Sequence, residues 1–186
     1  MKSVLISIRP KWCELIASGA KKVEVRKTRP KLETPFKAYI YCTGGPPYLN
    51  RHNGYCYLEE RDVLGYRGQG LYQRLSRRVI GEFVCDDITK ILNFGSCFLA
   101  EGRSKCELNT IARYSCLDFT DMRSYFGTTK EGYAWHISDL VIYEQPKELK
   151  SFRSYDVKAY TGENGYPMPT HKITRAPQSW CYVESL

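Results

Sequence analysis

The chain has 186 residues, of which 42% are hydrophobic and 13% aromatic, and this composition argues against global disorder. Its 28 lysines and arginines against 20 acidic residues give a formal net charge of +8, and no apolar run approaches the roughly 18 residues that a membrane span requires. The apolar stretch at the N-terminus is too short for a signal-peptide core, so the sequence predicts a cytoplasmic protein with no membrane contact.

The first 19 residues predict a strand followed by a helix. Lys2–Ile8 is rich in β-branched and apolar residues, which is typical of a strand buried on both faces. Pro10 suits the first position of a helix, and apolar residues then recur at helical spacing, so we expect a helix over residues 10–18. Gly19 stands where a left-handed C-terminal cap belongs.

A strictly alternating strand is predicted next, at Lys22–Lys27. Val23 and Val25 point to one face of this strand, and Glu24 and Arg26 point to the other. We therefore expect the two charged residues to share an exposed polar face.

Two further strands are predicted in the middle of the chain, at Phe36–Thr43 and Val79–Asp86. Gly81 in the second strand indicates a bulge or a close approach of backbone. Residues 44–77 between them are rich in Gly, Tyr and Arg and show little periodicity, so they are interpreted as an insertion or an irregular hairpin.

Short helices and strands are predicted for the rest of the chain. They are helices at Asn109–Tyr114 and Thr120–Phe126, a strand at Tyr133–Tyr143, a helical turn at Lys147–Phe152, a long loop at 153–172 and a strand at Ser179–Glu184. Thr120 is the expected N-cap of the second helix, and Gly127 its stop. Because regular helices between parallel strands are missing, the pattern favours a single α+β domain over residues 1–186, with a small mixed β-barrel or curled sheet and short peripheral helices.

The eight cysteines lie at least nine positions apart, with no C-x2-C pair. Only three histidines are present as co-ligands, and no two of them have zinc-ligand spacing. We therefore expect reduced, unligated cysteines, no metal site and no cofactor.

The densest group of charged residues lies near the N-terminus. Nine of the basic residues fall within residues 1–31, against only Glu14 and Glu24. Three of these charged residues, Lys21, Glu24 and Arg26, form the pattern Gly19-x-Lys21-x-x-Glu24-x-Arg26 with the preceding glycine, hereafter the Gly19–Arg26 motif. A lysine beside a glutamate and an arginine can hold a phosphate, or, desolvated by Trp12, it can act as a base or nucleophile. The alternative is that Glu24 simply pairs with its neighbouring cations on a solvated strand.

The Gly19–Arg26 motif, which follows an apolar strand and the helix that begins at Pro10, resembles the core motif of the activating-signal-cointegrator homology (ASCH) domains, which are PUA-like proteins. Val79–Phe83 resembles the middle strand of that family, and Tyr133–Ile137 followed by Pro146 resembles its closing strand. The tail Ala176–Tyr182 is similar to prophage and bacterial members. The resemblance covers the chain except residues 44–77 and 153–172.

The resemblance implies a PUA-like β-barrel with a cleft lined by the motif, and binding of RNA or modified nucleosides. One bacterial branch of the family is an amidohydrolase with the pattern G-x-K-x-x-T-x-R and a distant glutamate. Lys21 and Arg26 match that pattern, while Glu24 replaces the threonine and its hydroxyl. Glu101 and Glu107 fall in the region of the distant glutamate. Other members are metal-dependent ribonucleases, but no residue of this sequence identifies such a site.

Several aromatic and amide side chains are candidates to complete the cleft. Tyr133, Trp12 and Trp180 could stack on a base, whereas Trp135 is expected in the core with His136 on the opposite, cleft-facing side. The candidate ligand-binding residues are Arg9, Trp12, Lys21, Glu24, Arg26, His136, Gln178 and Ser179.

The sequence thus predicts a protein that binds RNA or a nucleotide-like ligand in a basic cleft built around the motif. The first alternative is a hydrolase that acts on RNA or a modified nucleoside, with Lys21 and Glu24 as its catalytic residues. The second alternative is a protein-interaction module, for instance a phage inhibitor, that contacts a protein partner through the insertion at 44–77.

Overall fold

The computed structural model of the protein describes residues 2–44, 49–52, 55–58, 76–101, 105–155 and 170–186. The chain divides into two compact units. The first unit consists of Met1–Glu14, Lys37–Glu82 and Val141–Leu186, and the second of Leu15–Phe36 and Phe83–Leu140.

The described residues form short strands and three α-helices. In chain order these are β1 (Lys2–Ile8), α1 (Pro10–Ala17), β2 (Val23–Arg26), β3 (Phe36–Cys42), β4 (Leu49–His52), β5 (Tyr55–Leu58), β6 (Arg78–Cys85), β7 (Ile88–Asn93), β8 (Phe98–Ala100), α2 (Lys105–Ser115), α3 (Phe119–Phe126), β9 (Glu131–His136), β10 (Ser138–Glu148), a 3₁₀ turn (Leu149–Ser151), β11 (Arg153–Tyr155), β12 (Thr170–Lys172) and β13 (Trp180–Glu184). Within the described part of the chain, no helix combines the length and the apolar character needed to cross a membrane.

The strands form a mixed seven-stranded sheet, a four-stranded sheet and a two-stranded hairpin. The large sheet has the order β10-β6-β3-β1-β13-β11-β12, with β1 parallel to β3 and antiparallel to β13. Its buried cluster in the first unit includes Leu5, Tyr39 and Phe152. The class is therefore α+β, as predicted.

The second unit is built on the antiparallel sheet β2-β9-β7-β8. The faces of α2 and α3 pack on it through a cluster that includes Ile111, Met122 and Phe126 from the helices and Val23 and Val25 from β2. The valine face of β2 thus enters a core, as the alternation predicts.

Two local predictions about glycine are confirmed. Gly19 ends the first helical segment with a φ of 75°, a conformation that glycine adopts at little cost. The backbone of Val141 approaches Gly81 closely, because a Cβ added at Gly81 would collide with the carbonyl oxygen of Val141.

The predicted strand at Tyr133–Tyr143 is wrong in one respect, since it is two strands that belong to different sheets. The break lies at Ile137, whose amide donates to the carbonyl of Lys22 at 2.9 Å, and Asp139 shortly after it has a positive φ of 44°. The chain therefore leaves the four-stranded sheet without any glycine or proline to mark the change.

The helix starts also differ from the predictions. α2 begins at Lys105, four residues earlier than expected. The N-cap of α3 is Asp118 rather than Thr120, because the Asp118 carboxylate accepts a 2.6 Å hydrogen bond from the amide of Asp121. Gly127 is the C-cap of α3, as predicted.

Two regions contain strands that the sequence did not predict. β7 and β8 lie between the predicted strand Val79–Asp86 and the predicted helix Asn109–Tyr114, and the ends of the predicted loop at 153–172 form the paired strands β11 and β12. At 44–77, which the sequence analysis interprets as an insertion or an irregular hairpin, the described strands β4 and β5 form an antiparallel hairpin. Most of that insertion and residues 156–169 lie outside the described residues, so the insertion's contact with a protein partner stays a prediction.

Candidate functional site

The turn after α1 places Lys21 at the start of the motif. α1 ends at Ala17, and the amide of Gly19 then donates to the carbonyl of Ile16 at 2.9 Å. The amide of Lys21 reaches back to the carbonyl of Leu15 at 2.8 Å, which fixes the backbone immediately before β2.

The three charged residues of the motif meet on one carboxylate, and we call them the Glu24 triad (Lys21, Glu24, Arg26). Arg26 Nη2 lies 2.9 Å from Glu24 Oε1, and Lys21 Nζ lies 3.3 Å from Glu24 Oε2. Each carboxylate oxygen therefore faces one cation.

The end of α2 provides another acceptor for the triad. Lys21 Nζ donates to the carbonyl of Ser115 at 2.6 Å, and Ser115 is the last residue of that helix. A cation at this end is favoured by the partial negative charge of the helix C-terminus. Lys21 thus joins the strand's carboxylate to the helix end.

The polar face of β2 is buried, which corrects the expectation of an exposed face. Lys21, Glu24 and Arg26 are only 2%, 5% and 9% exposed. Burial lowers the pKa of Lys21 from its usual value, and the attraction of Glu24 opposes this effect only in part. The predicted alternation and the pairing of Glu24 with Arg26 are confirmed, but the predicted exposure of this face to solvent is wrong.

His136 has a partner that the sequence analysis did not identify. Its Nδ1 is hydrogen-bonded to Asp86 Oδ1 at 2.6 Å, and both side chains are close to half exposed. Burial alone would raise the pKa of Asp86, but the hydrogen bond and the attraction of His136, together with further hydrogen bonds from the Asp86 backbone and Ser138, lower that pKa overall. The acidic pair directly after β6 was the signal that could have indicated this contact.

Trp135 is fully buried and packs edge-on against Phe36, with 5.8 Å between the ring centroids. The prediction of a core Trp135 with His136 on the opposite side is therefore confirmed. Tyr133, two residues earlier, donates its hydroxyl to Glu131 at 3.0 Å.

Four of the predicted ligand-binding residues belong to the first unit. Arg9 is exposed, and its carbonyl accepts hydrogen bonds from the first turn of α1. Trp12 is half-buried beneath the ammonium of Lys11, which lies 4.8 Å from its ring centroid. The carbonyl of Ser179 accepts from the amide of Ser7 at 2.9 Å, and Gln178 beside it is exposed.

The first unit also contains a group of charged and hydroxyl side chains outside the predicted set, the Glu82 cluster (Lys37, Glu82, Tyr143). Glu82 accepts from Lys37 Nζ at 2.6 Å and from the Tyr143 hydroxyl at 2.5 Å. Burial and the bond to Glu82 raise the pKa of Tyr143. These residues lie 45 and 61 positions apart from Glu82, so no local pattern indicates the group.

The described side chains do not identify a counterpart for the distant glutamate of the amidohydrolase pattern. Glu101 is exposed, with its carboxylate 3.4 Å from Lys90 Nζ, and the side chain of Glu107 lies outside the described residues.

The cysteine side chains that the structure describes are thiols and form no disulfide: Cys13, Cys42, Cys85, Cys97, Cys116 and Cys181. Burial raises the pKa of Cys85 to about 12 and that of Cys181 to about 11, so neither is a thiolate at neutral pH. Within the described ranges, no three His, Cys, Asp or Glu residues are grouped as metal ligands would be.

Comparison with solved structures identifies the fold. The chain is similar to the crystal structure of ASCH from Zymomonas mobilis, with a TM-score of 0.55 and 18% identity over 98% of this chain and 87% of that one. A serine-to-alanine variant of the same protein gives a TM-score of 0.55 over 98% and 88% of the two chains, and a tyrosine-to-phenylalanine variant gives 0.54 over 99% and 91%, both at 18% identity. The ASCH resemblance is thereby confirmed at the level of the fold.

No protein-family model matches the chain. No curated protein matches it either.

Proposed function

We propose that this chain binds RNA or a nucleotide-like ligand at a basic site around the Gly19–Arg26 motif. The observation that carries the proposal is the Glu24 triad, in which two cations are held on one carboxylate. Cations that are already fixed lose less side-chain entropy when a phosphate binds. Arg26 is the most exposed of the three and has the planar, multidentate donor set that suits phosphate oxygens.

Stability alone gives little reason for such a triad. A buried ion pair costs several kcal/mol of desolvation for each ion, and well-packed apolar residues often replace it without loss. A chain that keeps three buried charges in a short motif is therefore better understood if the charges have a binding role.

The overall charge supports the same function. The formal net charge of +8 favours polyanions, because each phosphate contact also releases condensed counterions. The remaining predicted contacts, which are Arg9, Trp12, His136, Gln178 and Ser179, are part of this proposal as candidate contacts to the ligand.

The test is binding of a fluorescein-labelled single-stranded RNA by anisotropy over a salt series. The wild type is expected to show a logarithmic affinity that falls linearly with the logarithm of the salt concentration. Arg26→Gln should lose about 1–3 kcal/mol of binding free energy and flatten the salt slope, since it removes a charge-assisted hydrogen bond. Lys2→Ala is the matched control, because Lys2 is exposed and outside the motif.

Since Arg26 is buried, its variant must be shown to be folded by circular dichroism, and Arg26→Lys keeps the charge as a second variant. A wild type that shows no salt-dependent binding would contradict the proposal. Equal losses in Arg26→Gln and Lys2→Ala would also contradict it, because they would indicate diffuse attraction without a site.

A second candidate function is hydrolysis of RNA or a modified nucleoside. The observation that favours it is the lowered pKa of Lys21, since a desolvated lysine amine is a better base or nucleophile at neutral pH. Glu24, 3.3 Å away, would then act as its proton partner. Mass spectrometry after incubation with RNA and with acylated nucleosides tests this function, and product formation that disappears in Lys21→Met would support it.

A further inference from the structure

Two tyrosines of the second unit lie beneath cations at the two ends of β2. Lys22, immediately before the strand, has its Nζ 5.7 Å from the ring centroid of Tyr114. Lys27, immediately after the strand, has its Nζ 5.4 Å from the ring centroid of Tyr125. Arg113 adds a second cation to the first ring, at 6.0 Å. All three cations are exposed.

Both rings are accessible and stand on regular structure. Tyr114 is 37% exposed and lies in the last turn of α2, while Tyr125 is 39% exposed and lies in the last turn of α3. The amide of Lys22 donates to the carbonyl of Tyr114 at 2.8 Å, which joins the first pair through the backbone. The ring of Tyr125 packs edge-on against the fully buried Phe126 at 5.6 Å.

An exposed aromatic ring beside a cation suits single-stranded nucleic acid. The base stacks on the ring, and the adjacent phosphate meets the lysine or arginine. A duplex does not present the faces of its bases, so the same arrangement selects against it. The Glu24 triad lies between the two pairs along the chain, and its charges are buried.

We propose that Lys22, Arg113 and Tyr114 form one subsite, and Lys27 and Tyr125 another, and that each takes one base and its adjacent phosphate from a single-stranded RNA. This inference rests on the proposed function and names its substrate class and its contact residues.

The experiment measures anisotropy of labelled hexauridylate with Tyr114→Leu, Tyr125→Leu and the double variant. Each single variant is expected to weaken binding by about 5- to 150-fold, since leucine fills a similar volume but offers no ring to stack on. Tyr114→Phe and Tyr125→Phe should bind nearly as the wild type does, and they keep the test valid if a leucine variant unfolds. Tyr182→Leu is the matched control, because Tyr182 lies under Lys2 at 5.2 Å in the first unit.

The outcomes separate this inference from the proposed function. If the wild type binds hexauridylate and both leucine variants bind equally well, the two subsites are overturned while RNA binding stands. Equal affinity for a duplex of the same length would likewise overturn stacking. If the wild type shows no salt-dependent binding of any RNA, the proposed function fails and this inference with it.

Discussion

In each unit one glutamate binds a lysine and a second donor, yet the pKa values of the two lysines are shifted in opposite directions. Lys21 is almost fully buried, and desolvation lowers its pKa in spite of Glu24. The side chain of Lys37 is 37% exposed, and the hydrogen bond with Glu82, which outweighs the effect of burial, raises its pKa. Access to water therefore decides which effect prevails, even though each lysine is paired with a glutamate carboxylate.

The same difference in burial predicts different costs for losing the glutamate. In the Glu24 triad, loss of the carboxylate leaves two cations that water does not reach. In the Glu82 cluster, water solvates the lysine that is left behind. A buried pair broken in this way costs several times more than a partly exposed one.

The largest expected effect is that of Glu24→Gln, which should lower the free energy of unfolding by about 3–5 kcal/mol. The matched substitution Glu82→Gln should cost only about 1 kcal/mol, because the amide oxygen still accepts from Tyr143 and Lys37 is solvated. Urea denaturation of both variants measures the difference. Equal losses would show that burial does not distinguish the two groups.

A smaller effect is expected from pH, with opposite signs for the two lysines. Because the folded pKa of Lys21 is lowered, the unfolded chain binds more protons between that pKa and 10.5, so the wild type should gain stability relative to Lys21→Met as pH rises through this range. The folded pKa of Lys37 is raised, so its contribution is complete below 10.5 and is lost as pH rises through the folded value.

The measurement is the difference in melting temperature between the wild type and each methionine variant from pH 8 to pH 11. Relative to Lys21→Met the wild-type advantage should increase, and relative to Lys37→Met it should decrease above pH 10.5. The same trend in both comparisons would contradict the opposite pKa shifts.

The sequence predicted those elements that are marked by hydrophobic periodicity and by a glycine or proline close by in the chain. β1, α1, β2 and β3 and the Gly19 cap all follow from periodicity and from glycine or proline at their ends. The break at Ile137 was missed because the run from Tyr133 to Tyr143 contains no residue that marks an end, and only a tertiary contact to Lys22 divides it.

The candidate site was predictable in part for the same reason. Alternation placed Glu24 and Arg26 on one face, but it does not encode whether that face is covered. The carbonyl of Ser115, which binds Lys21, leaves no signal, because every residue has a backbone oxygen. Glu82 and Tyr143 are 61 positions apart and meet only through the tertiary fold.

The most direct test of RNA binding by the second unit is photo-crosslinking of a 4-thiouridine hexanucleotide to the wild-type protein, followed by mass spectrometry of the peptides. The crosslinked peptides are expected to include peptides from residues 15–36 and 83–140, among them those that carry Tyr114 or Tyr125. Crosslinks confined to peptides of the first unit, with none from these two ranges, would contradict a site around the Gly19–Arg26 motif.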